Sequence, residues 1–225
     1  MNKLEDARDR LRIIEDLVCR PPDGYVFVIL ASQDSRYDLF MLTLLRTALS
    51  MGLSTLDVIT EPRNRELMNE LCSLQSDLFS VMEVTYGQGS LSRYVCAPQL
   101  HEVNITLREL RNSYRPRVIL FESLTPLIID FSPRDVVRFF KESVEDSVKS
   151  GSREFYLVHQ DSADSVTMNQ LFSLAHGLVT LTTSKGKYYL DVKKSIGVDL
   201  KCDTIEYVPD TSGARRTDWG ILLNW

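Results

Sequence analysis

Histidine and cysteine are both scarce: three and four in 225 residues. Cys19, Cys72, Cys96 and Cys202 stand far apart with no C-x-x-C pair. That spacing excludes a zinc ribbon and a disulfide-stapled secreted fold, and it suits reduced thiols in the cytoplasm. His101, His159 and His176 show no metal-ligand spacing with one another or with a cysteine, so no metal is expected. Long apolar runs are missing too. The run Tyr25 to Ala31 is far short of the ~20 residues that span a bilayer, and the charged start Met1-Asn2-Lys3-Leu4-Glu5-Asp6 does not read as a signal peptide. No G-x-S-x-G motif and no Cys/His pairing speaks for covalent catalysis. Glycine is missing where it would matter most. The loop Ala31-Ser32-Gln33-Asp34-Ser35-Arg36-Tyr37-Asp38, between an apolar strand and a helix, has neither glycine nor a Lys-Ser/Thr pair.

What is present is an ordinary globular composition, 44% hydrophobic and 25% charged, with net charge −5. The acidic balance disfavours nonspecific nucleic-acid binding, although a local basic patch survives such an average. Length suits one domain over 1–225, with an N-terminal helix 3–20, a core 21–208 and a tail 209–225.

Leu4, Ala7, Leu11, Ile14 and Leu17 recur at helical spacing, and Pro21-Pro22-Asp23-Gly24 breaks the pattern. Tyr25 to Leu30 is a continuous apolar run of the kind found in a strand covered on both faces. Further strands are predicted at Leu56–Thr60, Ser80–Thr85, Arg117–Glu122, Phe155–His159 and Thr204–Val208. Helices are predicted at Leu39–Met51 with Gly52 at C′, from Pro62 to about Leu74, at His101–Tyr114, from Ser132-Pro133 to Gly151, and at Val166–Ala175. Leu178–Thr182 and Lys187–Val192 flank a hairpin turn, Thr183-Ser184-Lys185-Gly186. Leu91 to Pro98 is ambiguous. The alternation predicts an α/β fold: a mostly parallel sheet sandwiched by helices, with an antiparallel hairpin at one edge.

Four segments in this order resemble the RecA superfamily, and KaiC-like and RadA-like archaeal and bacterial ATPases in particular. Pro22-Asp23-Gly24 with its apolar strand resembles the approach to a phosphate loop. Val118-Ile119-Leu120-Phe121-Glu122-Ser123-Leu124 resembles a Walker B strand. Val158-His159 ends the following strand. Gly177-Leu178-Val179, Tyr188-Tyr189-Leu190-Asp191-Val192-Lys193-Lys194 and Gly197 resemble the family's late hairpin. The resemblance runs from about Leu11 to Gly197 and implies a RecA-like, P-loop NTPase-type fold that assembles side by side.

The departures from that family carry the functional expectation. A phosphate loop needs G-x-x-x-x-G-K-[ST]: glycines turn backbone N–H groups inward, lysine pairs with the β/γ-phosphates, and the hydroxyl holds magnesium. Here Ser32 or Ser35 offers a hydroxyl, Arg36 is the nearby cation, and Asp34 and Asp38 oppose a polyanion. Glu122 stands where the resemblance implies an acid that reaches magnesium; it reads equally as an acid at a strand's carboxyl end. Glu61, before Pro62, is either the acid that activates water or a first-turn helix acid favoured by the dipole. His159 is either a ligand sensor or a histidine satisfied at the sheet edge. Lys193 and Lys194 resemble an element offered to a neighbouring subunit's ATP, with Ile196 in place of its arginine; otherwise they flank a hairpin in solvent. Arg111, Arg115 and Arg117 around Tyr114, and Arg134 with Arg138, form either a basic patch or solvated faces. The tail's Trp219 and Trp225 are either core plugs or interface anchors.

The expectation is a catalytically degenerate regulatory or interaction subunit that does not bind ATP and magnesium tightly. Its partners would be copies of itself or an active RecA/KaiC-like relative. Degenerate RecA-like subunits of the tRNA-modifying Elongator complex keep nucleic acid in view. Two alternatives stand beside this. One is a residual ATP-binding enzyme whose Ser35, Arg36 and Glu122 converge. The other is a doubly wound domain that takes another small ligand in the crevice near Ser32, Glu122 and His159.

Overall fold

The computed structural model describes residues 13–61, 77–87, 94–200, 204–209 and 221–222. The expected helix after Pro62 and the tail tryptophans lie outside these residues, as do positions 3–12 of the first helix.

Helix α1 covers 13–19. The remaining helices are α2 (Tyr37–Ser50), α3 (Leu100–Ser113), α4 (Thr125–Asp130), α5 (Pro133–Ser150) and α6 (Ser165–Leu174). The strands are β1 (Val26–Ala31), β2 (Thr55–Ile59), β3 (Phe79–Val84), β4 (Tyr94–Cys96), β5 (Val118–Phe121), β6 (Arg153–His159), β7 (Gly177–Ser184), β8 (Lys187–Ser195), β9 (Ile205–Pro209) and β10 (Ile221–Leu222). They form one sheet in the order β10-β9-β8-β7-β1-β6-β5-β2-β3-β4. From β7 to β4 every neighbouring pair is parallel, and β8, β9 and β10 add antiparallel strands at one edge.

Why these residues make this sheet is plain in β1. Its even and odd positions are both apolar, so both faces are covered: Val26 and Val28 join one core, Phe27, Ile29 and Ala31 the other, all fully buried. Helices α1 and α2 cover the second of these faces, and α3 to α6 cover the first. Backbone punctuation follows the sequence signals. Gly52 (φ 71°) closes α2 by donating to Leu49 O, while Leu53 N donates to Ala48 O, the two bonds of a Schellman motif. Ser132 caps α5 by accepting from Asp135 N, and Gly151 (φ 76°) ends that helix. Lys185 (φ 50°) and Gly186 (φ 73°) form a two-residue turn with both central φ values positive, which matches the twist of the β7–β8 hairpin.

Three features go beyond the sequence expectations. The ambiguous stretch before Gln99 contributes an edge strand, β4, paired with β3. A short helix, α4, follows β5; Pro126 suits its first turn. Of the arginines around Tyr114, read as either a basic patch or solvated faces, Arg111 is neither. Arg111 is buried at 2% side-chain exposure and forms a bidentate pair with Glu154 at 2.9 and 2.8 Å. Arg117 pairs with Asp23 at 2.8 Å, and Arg153 joins the same carboxylate at 2.9 Å. Arg111 ties α3 to β6, whereas Arg117 stays about half exposed.

Candidate functional site

The carboxyl ends of β1 and β6 open into a cavity of about 650 Å³ lined by Ser32, Gln33, Glu61, Thr125, Ile129, His159, Gln160, Asp161 and Ser162. In a doubly wound sheet this is where ligands bind, because loops diverge to opposite faces there. Ser32 follows β1 directly, and its N–H donates to Leu181 O, which anchors it to β7. His159 ends β6. Its backbone N–H donates to Thr125 Oγ1 at 2.9 Å, and its ring packs on Tyr37 at a centroid distance of 4.6 Å. Gln160 N–H donates to Ala31 O, joining the β6 turn to β1. The loop after β5 is tied down twice: Leu124 N–H donates to Leu157 O, and Thr60 Oγ1 to Ser123 O at 2.6 Å. The walls are therefore the ends of hydrogen-bonded strands.

Of the residues singled out in the sequence, Ser32, Glu61 and His159 come together in this cavity. Ser35 and Arg36 do not line it. Ser35 is fully buried, and both its N–H and its hydroxyl donate to Ser32 O (3.0 and 2.6 Å). Arg36 caps α2 in the left-handed conformation (φ 50°), and its guanidinium binds both carboxylate oxygens of Asp38 at 3.2 Å. Glu122 is 8% exposed and also lies outside the lining. None of Ser35, Arg36 and Glu122 lines this cavity.

Lys193 pairs with Asp191 of its own strand at 3.0 Å. Lys194 Nζ donates to Phe172 O, Ser173 O and Ala175 O at 2.8, 3.3 and 2.6 Å. It thereby satisfies the carbonyls at the C terminus of α6, where a cation is also favoured by the helix dipole. Burial holds its pKa below the ordinary lysine value.

Sequence reasoning missed Thr125, Gln160, Asp161 and Ser162. A polar run after an apolar strand, His159-Gln160-Asp161-Ser162, was the available signal for three of them; Thr125 had none. Cys96 is buried at 7% exposure, and its thiol is pushed up to about 11, chiefly by burial. Among the described residues no group of three or more His, Cys, Asp or Glu side chains is arranged to hold a metal ion, and no helix is long and apolar enough to cross a membrane.

His176 sits at the other end of β7 and carries a pH signature. Its Nδ1 accepts the Val26 N–H at 3.0 Å, which requires that nitrogen to be unprotonated. Burial, and then the positive charge of Lys194, hold its pKa below the ordinary 6.5. Below that value the unfolded chain takes up a proton that the native chain resists. Stability therefore falls as pH drops from 6.5 toward the lower native value. Urea midpoints should be lower at about pH 5 than at neutral pH, and His176→Asn, which keeps an acceptor but no titration, should flatten that slope. An identical slope in the variant would assign the pH dependence to other groups.

No protein-family model matches the chain, and no curated protein does. Solved structures match in fold. A KaiC-like protein from the hyperthermophilic archaeon Pyrococcus horikoshii OT3 aligns with a TM-score of 0.67 at 11% identity, covering 84% of this chain and 87% of that one. At that identity the match concerns the fold, and the chain has the α/β architecture of a KaiC-like, RecA-type domain.

Proposed function

We propose that this chain keeps a RecA/KaiC-like scaffold without its phosphate chemistry and works as a regulatory or interaction subunit, assembled with copies of itself or with a related ATPase. The observation that carries the reading is the β1–α2 turn. A phosphate loop holds its ligand with convergent backbone N–H groups and a lysine. In this turn Ser32 O collects both donors of Ser35, and the turn's own cation, Arg36, is paired with Asp38. Glu61 and Asp161 add two carboxylates to the adjoining cavity. Leaving a buried charge without its partner costs about 3–5 kcal/mol, which is at least two powers of ten in affinity. A cytoplasmic setting belongs to the same reading, with Cys19 and Cys96 as free thiols.

Thermal unfolding with and without millimolar Mg-ATP tests the reading. A ligand at 100 times its dissociation constant adds about 2.7 kcal/mol, or roughly 5–11 °C for a chain of this size. The expected shift is under about 1 °C by the same relation. A magnesium-dependent shift of several degrees would restore an ATP-binding protein. Light scattering across a concentration series tests the other half: a strict monomer that recruits no relative would end the subunit reading.

A further inference from the structure

We propose that the crevice at the carboxyl ends of β1 and β6 binds an uncharged, hydroxyl-rich small molecule of monosaccharide size. The inference goes beyond the subunit reading and depends only on the crevice. About 650 Å³ lies within the ~300–1,000 Å³ typical of small-molecule sites.

Three polar atoms of the lining are hidden from solvent and have no hydrogen-bond partner among the described residues: Ser32 Oγ, His159 Nε2 and Ser162 Oγ. Folded chains pair nearly all such atoms, and three orphans among the residues of one cavity need a common explanation. They come from the end of β1, the end of β6 and the turn that follows, which the bonds from Gln160 N–H to Ala31 O and from Ser162 N–H to His159 O hold together. Each hydroxyl both donates and accepts, and so does a ligand hydroxyl.

The remaining lining selects the class. Glu61 and Asp161 only accept when ionised, so they call for donors, and one carboxylate spans two vicinal hydroxyls. Gln33 and Gln160 supply amides of both senses. Ile129, 70% exposed, gives an apolar wall for the C–H face of a ring. Among the described residues no lysine or arginine lines the cavity. Among the described lining residues a phosphate or carboxylate ligand would meet two like charges without a counter-ion. Asp161 is held at φ 63°, a conformation uncommon outside glycine and asparagine or aspartate, so the turn that brings it to the wall is a built feature.

Saturation-transfer NMR on the full chain tests this with D-glucose, D-ribose and myo-inositol at millimolar concentration, each beside its phosphate ester and with glucosamine as the cationic control. At least one neutral polyol should receive transfer, and its phosphate ester should not. Ser162→Ala and Glu61→Gln should each weaken the binding polyol about tenfold, the loss expected for one or two hydrogen bonds. Both positions are partly exposed, so both variants should melt with the parent chain; should either fail to fold, exposed Gln33→Ala takes its place. The proposal is overturned if no polyol binds, if the phosphate ester or glucosamine alone binds, or if affinity is unchanged in the variants. Mg-ATP binding with no polyol binding would sink both readings, whereas silence of the polyols alone would leave the subunit reading intact.

Discussion

Replacing Glu154 with leucine (E154L) is expected to cost the fold about 3–5 kcal/mol and to lower the thermal midpoint by roughly 6–20 °C. The carboxylate is fully buried on β6 and collects four donors. Arg111 Nε and Nη2 reach it at 2.9 and 2.8 Å, and the Tyr156 and Ser152 hydroxyls each at 2.6 Å. Burial works against the charge on Arg111, and Glu154 more than compensates, so the guanidinium is held firmly protonated. Burial first, and then the neighbouring carboxylate, raise the Tyr156 pKa well above its ordinary value and keep that hydroxyl a donor. Leucine takes away the counter-charge and leaves a buried guanidinium with only the Tyr156 hydroxyl, at 3.5 Å, as an acceptor among the described residues. The same argument makes the double variant E154L/R111M milder than E154L alone, because an apolar pair of similar volume has no charge to strand. Urea unfolding of both single variants and the double gives the coupling directly. A loss under about 1 kcal/mol in E154L would mean that water reaches Arg111, and the network would then be a surface pair of small worth.

That network also shows where the sequence can be read and where it cannot. The strands were legible because apolar, β-rich runs bounded by Pro and Gly have few other solutions, and the hairpin because Lys185-Gly186 suits a turn with two positive φ values. Arg111 is four residues past Leu107 and so shares the buried stripe with Val103 and Leu107. Glu154 alternates with Tyr156 and Val158 on a single covered face. Both parities were visible, yet a row of arginines around a tyrosine reads outward by default. Glu122 continues the alternation of Val118 and Leu120, whose face is covered by α1 and α2, and only 8% of it is exposed. Lys194 was beyond reach. Its three acceptors lie 19 to 22 residues away in sequence, and only the packing of β8 against the end of α6 brings them together. Ser32 and His159 were legible because the carboxyl end of a strand is a topological position, which alternation and length locate without tertiary knowledge.

Gly177→Ala (G177A) should destabilise by about 3 kcal/mol or more, at or past the top of the usual range for overpacking. The demand is for space and not for backbone freedom. A Cβ at this position would stand 2.2 and 2.3 Å from two ring atoms of Phe27 and 3.1 Å from Tyr25. Phe27 cannot give way: it is fully buried, stacked on Phe155 at 5.1 Å with the rings nearly parallel, and flanked by Tyr25 at 4.8 Å. Backbone retreat is equally costly, because Gly177 and Phe27 are paired across β7 and β1, whose register continues to Ala31 and Leu181. Gly52 is the internal contrast, with φ 71° and nothing within 4 Å, so alanine there meets only the modest backbone penalty. Shaving the ring should relieve the clash: F27L/G177A should lose less than the sum of its single variants, a coupling that urea unfolding measures. Parent-like stability in G177A would mean that β7 slides on β1 at little cost. That outcome would reach the crevice as well, since Ser32 N–H is held by Leu181 O and the wall it forms is only as rigid as that pairing.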